Sequence, residues 1–176
     1  WSAALIRIGD ILMTPEDKTA AAESLTAFKQ YLRQHLASHR GDDTMMALAI
    51  DAQDRRDLDE EETLTNLVSM LVAGHETTVT LIGNGLMLLL SHPEALVALR
   101  NDPGLMRPAV EEMLRLEPGG NMILRVALDA AEVCGVQIEK GDLVIGLVGA
   151  INRDPARFEN PAQFDPARRP NVQLTF

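Results

Sequence analysis

The stretch DEEETLTNLVSMLVAGHETTVTLIGNGLMLLLS, Asp59 to Ser91, decides the fold. It predicts one helix of about 30 residues, on the order of 45 Å long at roughly 1.5 Å per residue, so the rest of the chain is expected to pack around it. Asp59 followed three residues later by Glu62, with Leu58 just before, is the pattern of a capping box with its staple and marks the start. From Leu64 onward nearly every face is apolar, which predicts burial in a sizeable core or in lipid. The centre argues against lipid, because Ala73-Gly74-His75-Glu76-Thr77-Thr78 would put an ionisable pair and two hydroxyls in the middle of a membrane span.

A charge in the middle of such an element is expensive unless something uses or satisfies it. Small side chains at Ala73 and Gly74 let a bulky partner approach the backbone, and Thr77 lies one turn beyond Ala73 on the same face. Thr77 can also bond back to the Ala73 carbonyl, which tends to bend or open a helix. Two readings follow. One is a helix crossing at Ala73-Gly74, with His75 and Glu76 held by core partners; the other is a groove with an alcohol and a carboxylic acid beside it. A zinc site is not supported, since position 79 holds Val79 where a second imidazole would have to stand.

Around this helix the chain reads as mainly α with small antiparallel β ribbons. Thr14-Pro15-Glu16-Asp17 is a helix start and predicts a helix over 15–39 with Ala21, Leu25, Phe28, Leu32 and Leu36 facing a core and Gly41 ending it. A short helix is expected from Thr44 to Ile50, then a charged loop from Asp51 to Asp57. Helices over 94–100 and 105–116 are bounded by proline and glycine. After Gly120 come β-prone runs at Met122–Ala127, Ala131–Val133, Val136–Ile138 and Leu143–Val148, with Lys140-Gly141-Asp142 as a turn. The organisation expected is one domain portion: 1–120 helical, 121–148 ribbons, and 149–176 an ordered meander anchored by Phe158, Phe164 and Phe176.

The 176 residues are 46% hydrophobic with only 3% aromatic, so aliphatic side chains must fill the core. A formal net charge of -10 disfavours nucleic acid or anionic membrane as partner. One cysteine, Cys134, allows no intrachain disulfide, and its expected role is that of a small apolar group packed inside. No signal peptide pattern opens the chain, and the missing initiator methionine with the abrupt end is expected of a fragment. No nucleophile, base and acid set for a metal-free hydrolase is evident.

Two arginines carry further information. Glu112 and Arg115 stand three apart on one helical face; alone they read as surface decoration, although a second arginine from the meander would turn them into a cluster pinning loop to helix. Arg125, in an otherwise apolar β-prone run, needs an anionic partner, either a structural carboxylate or a bound anion.

Ala73-Gly74-His75-Glu76-Thr77-Thr78 resembles the central oxygen-binding helix of the cytochrome P450 family, and three further motifs follow in family order. Glu112 and Arg115 match the family's Glu-x-x-Arg, Arg168 in Phe164-Asp165-Pro166-Ala167-Arg168 matches the meander arginine of the same cluster, and Ala150-Ile151-Asn152-Arg153-Asp154-Pro155 resembles its A-N-R-D-P segment. The likeness covers the whole chain as the C-terminal half of a bacterial-type P450, ending before the haem-ligand loop; Phe176 looks like the first residue of that loop.

The resemblance implies a haem-thiolate monooxygenase that inserts one oxygen atom from O2 into a hydrophobic small organic substrate, with electrons from a ferredoxin or other redox partner. The alternative is a non-catalytic P450-like protein that binds haem or a partner. Haem b is the implied cofactor. Glu76 and Thr77 match the family's acid–alcohol pair, Ala73 and Gly74 leave room for the cofactor, and Arg125 aligns with an arginine that binds a haem propionate. Ser69, Val72, Asn121 and Ile123 match positions that line the substrate cavity, and Pro118-Gly119-Gly120-Asn121 departs from the less flexible stretch common in relatives. Glu112, Arg115 and Arg168 would be structural. No metal ligand is expected here, since the thiolate cysteine would lie beyond Phe176 and Cys134 sits in the wrong place. No nucleic acid and no membrane span are expected, and the location implied is cytoplasmic. As a free peptide the chain is not expected to hold haem normally.

Overall fold

The computed structural model describes residues 1–9 and 13–175. Its contacts fall into two compact units, Trp1–Glu76 and the remainder from Thr77.

In the first unit a short helix α1 (Ser2–Leu5) precedes α2 (Pro15–Leu36). The start of α2 is locked as its sequence predicts: the Asp17 N–H donates to Thr14 Oγ1 at 3.2 Å, while Asp17 Oδ2 accepts from the Thr14 hydroxyl at 2.9 Å. The predicted helix to 39 ends in two parts, α to Leu36 and one 3-10 turn over Ala37–His39, and Gly41 at φ +83 then reverses the chain. The next helix, α3 (Met45–Asp54), is capped by Thr44 and runs four residues past the predicted end at Ile50. The charged loop expected from Asp51 is therefore mostly helix. Ile50 is buried and Asp54 pairs with Arg40, so tertiary partners extend the helix through residues whose polar composition predicts a loop.

The long helix α4 (Glu60–Ser91) has 32 residues. Both bonds of its capping box are made at 2.8 Å, Glu62 N–H to Asp59 Oδ1 and Asp59 N–H to Glu62 Oε2. In the first unit Leu64, Leu67 and Val68 of α4 join Leu5, Phe28, Leu32, Leu36 and Ile50 in one core. Lys29 and Arg33 tie α2 to Glu60 and Glu61 above it.

In the second unit α5 (Pro93–Asn101) and α6 (Met106–Leu116) pack on the end of α4, with Ala95, Leu99, Ala109, Met113, Leu116 and Phe164 as core. The close helix crossing is at Gly85, where an added Cβ would stand 2.9 Å from Met113 Sδ. It is not at Ala73-Gly74. Nor do these residues wrap α4 on every face: Met70, Ile82, Met87 and Leu90 remain 49, 65, 65 and 61% exposed. Each core covers one stripe of the helix.

The ribbons are two antiparallel pairs. Strand β1 (Met122–Val126) pairs with β4 (Leu143–Leu147), placing Leu124 opposite Ile145, and between them β2 (Ala131–Val133) and β3 (Val136–Ile138) form a hairpin. Cys134 and Gly135, at φ +52 and +79, are the two central residues of its turn, a conformation suited to strand twist. That turn holds Cys134 exposed, so it is not the packed apolar group expected. The segment predicted as meander from 149 opens with a helical turn, α7 (Val148–Ile151), followed by irregular chain in which Phe158 and Phe164 are buried. Phe176, the third expected anchor, lies outside the described residues.

Candidate active site

The motif at the middle of α4 is open at its small residues. Ala73 and Gly74 are exposed, and a Cβ added at Gly74 would meet nothing within 4 Å. His75 and Glu76 are not held by a core: His75 Nδ1 lies 3.0 Å from Ser2 Oγ on α1 and 3.5 Å from Glu76 Oε1, with the Glu76 side chain 24% exposed. Thr77 is half-buried, and its main chain packs against Gly119. Ser69 is exposed, whereas Val72 is half-buried against the first core.

The acid and arginine of α6 are at the opposite extreme. Glu112 and Arg115 are both 0% exposed, so the surface reading of this pair is wrong. Arg115 donates to Glu112 through Nε at 2.7 Å and Nη2 at 2.8 Å, a bidentate fork, and spends further protons on the carbonyls of Asn152 at 2.8 Å and Pro161 at 2.7 Å. Its guanidinium lies 5.0 Å from the Phe158 ring centroid. Arg168 Nε donates to Glu112 Oε1 at 2.9 Å, and the Asp165 N–H and Asn171 Nδ2 add bonds of 3.1 Å each. Burial pushes the Glu112 carboxyl up, but the bonds from Arg115, Arg168 and the Asp165 amide outweigh it and hold the group below the ordinary carboxylate value. Every lone pair of Glu112 is thereby committed to holding chain segments together.

Sequence reasoning missed how far this network extends. Asn152 is fully buried; its Oδ1 accepts from the Leu174 N–H at 2.9 Å, its Nδ2 donates to Thr175 Oγ1 at 3.0 Å, and the Thr175 hydroxyl donates to the Leu114 carbonyl at 2.8 Å. Asn152 lies inside the A-N-R-D-P-like segment, but nothing local shows that an asparagine will bridge to a stretch of chain over 20 residues away.

Arg125 projects from β1 and is exposed. Among the described residues its guanidinium bonds only the neighbouring Leu124 carbonyl, at 2.9 Å, and no carboxylate pairs with it. Asn121 and Ile123 are exposed near the start of β1, where the Asn121 carbonyl accepts from the Val148 N–H at 3.0 Å. Among the described residues no group of three or more His, Cys, Asp or Glu side chains is placed to hold a metal ion. No single described helix is long and apolar enough to cross a membrane.

The chain is mainly helical with two small antiparallel sheets, and it buries a Glu-x-x-Arg pair beneath an irregular meander. The cytochrome P450 family model matches residues 14–171, and the chain belongs to that family. It is 38% identical to the biotin biosynthesis cytochrome P450 of Bacillus subtilis (strain 168), over 100% of this chain and 45% of the relative. It is 40% identical to cytochrome P450 107B1 of Saccharopolyspora erythraea, over 95% of this chain and 42% of that one. The crystal structure of CalO2 superposes with a TM-score of 0.91 at 34% identity, covering 100% of this chain and 45% of CalO2. P450BioI, solved with a hexadecenoic acid-ligated acyl carrier protein, superposes with a TM-score of 0.88, covering 100% of this chain and 46% of that chain. The chain thus spans about half the length of the relatives it matches.

Proposed function

We propose that this chain is the distal-helix and meander portion of a haem-thiolate monooxygenase acting on a hydrophobic small organic substrate with electrons from a ferredoxin or similar carrier. The observation that carries the reading is the middle of α4: an acid and an alcohol in succession, Glu76 and Thr77, just past a glycine whose missing side chain leaves open space.

The residues present fit a haem. Open backbone at Gly74 suits a flat macrocycle, which a larger side chain would obstruct. Arg125, with no carboxylate partner among the described residues, suits a propionate, which its planar fork would hold bidentately. When bound, the haem supplies the O2 activation and the oxidative chemistry. The remaining work falls to side chains of this chain. The Thr77 hydroxyl would donate a hydrogen bond to a group or water bound beside it, and the Glu76 carboxyl would hold a proton from solvent and pass it on. Ser69 and Val72 on α4, and Asn121 and Ile123 near the start of β1, would each contribute to the substrate wall of the complete protein, and their apolar bias would favour hydrophobic compounds. Glu112, Arg115 and Arg168 act by holding the meander and do not touch the reaction. A net charge of -10 disfavours anionic surfaces as partners, and the location proposed for the complete protein is the cytoplasm.

The test is made on the complete protein. Its reduced, CO-bound absorption spectrum is expected to carry the red-shifted Soret band of thiolate-ligated iron, and Thr77→Ala is expected to consume electrons without matching product. A protein without haem absorbance, or a Thr77→Ala variant with normal coupling, overturns the assignment.

A further inference from the structure

We propose that His75 is a proton relay that reloads Glu76, with Ser2 pinning its ring; this rests on the reading of Glu76 as a proton carrier. Ser2, His75 and Glu76 come together in the first unit. The combination of serine, histidine and acid invites a hydrolase reading, and the geometry rules it out. In a nucleophilic triad the hydroxyl and the acid bond opposite ring nitrogens. Here both approach the same one, with Nδ1 3.0 Å from Ser2 Oγ and 3.5 Å from Glu76 Oε1.

Two oxygens at Nδ1, one of them a carboxylate, favour the tautomer with the proton on that nitrogen, which then donates to Ser2 Oγ and faces Glu76 Oε1. Among the described residues nothing hydrogen-bonds Nε2, and the His75 side chain is 56% exposed against 24% for Glu76. The imidazole thus has one nitrogen toward water and one toward the half-buried acid. A proton from water or buffer adds to Nε2, the Nδ1–H bond breaks, and that proton moves to Glu76 Oε1. The ring is left neutral with its proton on Nε2 and returns to the starting tautomer by exchange with solvent. One proton enters and one leaves, and no electrons move. The 3.5 Å step is closed by a small side-chain rotation.

The experiment uses the complete haem-loaded protein with the substitutions His75→Gln, Glu76→Gln and Ser2→Ala. His75→Gln is expected to lower the fraction of electrons coupled to product and to raise the solvent deuterium isotope effect. The slowing should fall short of the about 100-fold that losing a general acid–base group outright costs, because water still reaches Glu76 directly. Added imidazole is expected to restore coupling in His75→Gln and to do nothing for Glu76→Gln. Independently of turnover, 15N NMR of the ferrous–CO protein is expected to find His75 protonated at Nδ1, with that preference weakened in Ser2→Ala. Unchanged coupling in His75→Gln, no imidazole rescue, or a His75 bare at Nδ1 overturns the relay while Glu76 keeps its role. A Glu76→Gln variant with normal coupling overturns the underlying reading of Glu76 instead.

Discussion

Gly119, in the loop after α6, lies against the main chain of Thr77: a Cβ at position 119 would stand 3.0 Å from the Thr77 carbonyl oxygen and 3.4 Å from its Cα. The glycine pair before β1 reads in the sequence as flexibility. In the fold Gly119 is a close approach between a loop and the alcohol-bearing turn of α4, while a Cβ at Gly120 would meet nothing within 4 Å.

Gly119→Ala should therefore be costly and Gly120→Ala should not. The neighbour at 119 is helix backbone, which cannot rotate away as a side chain can, so a cost of about 1–3 kcal/mol is expected for the overpacked site. Thermal unfolding of the two variants in the complete protein measures the difference. Equal midpoints would mean that the loop moves freely.

Glu112→Gln would leave two arginines in the meander cluster without their counter-charge. Removing one partner of a buried ion pair costs about 3–5 kcal/mol, and with Glu112 and Arg115 both 0% exposed the upper part of that range applies. Arg115→Lys should not be conservative, because a lysine cannot reproduce the fork to Glu112 together with the bonds to the Asn152 and Pro161 carbonyls. Denaturant midpoints decide it; a loss within about 1 kcal/mol, the range of an exposed pair, would contradict the cluster's role.

The same carboxyl sets a pH dependence. Glu112 titrates below its ordinary value in the folded chain, so the unfolded chain takes up the proton first as pH falls. Its contribution is complete above the ordinary carboxylate range and is lost as pH drops through that range toward the folded value. Stability should fall steeply on the acid side in the parent, and the slope should flatten in Glu112→Gln. Equal slopes in the two proteins would assign acid unfolding to other carboxylates.

Gly74 separates helix stability from cofactor space. On an α-helix with open space at its Cβ, Gly74→Ala should stabilise the haem-free protein by about 0.8–1.0 kcal/mol, the intrinsic cost of glycine in a helix. Gly74→Leu should fold equally well yet take up less haem, read as the ratio of Soret to protein absorbance. Full haem occupancy in the leucine variant would place the macrocycle elsewhere.

Local chemistry made much of this legible from sequence. Both helix starts at Thr14 and Asp59 depend on side chains three residues apart, as do the two partners at Glu112 and Arg115, and the β runs alternate with glycine turns; such signals act over a few residues and survive in one dimension. The family motif at Ala73 to Thr78 is likewise contiguous. Only the tertiary structure decided which apolar stripes of α4 are covered, that its close crossing falls at Gly85 and not at Ala73-Gly74, and that Glu112 and Arg115 are fully buried. It alone brought Ser2 to His75, Gly119 to Thr77 and Asn152 to Thr175. Those pairs are 23 to 73 residues apart, and their contact depends on how packed elements return along the chain, a quantity that no local preference encodes.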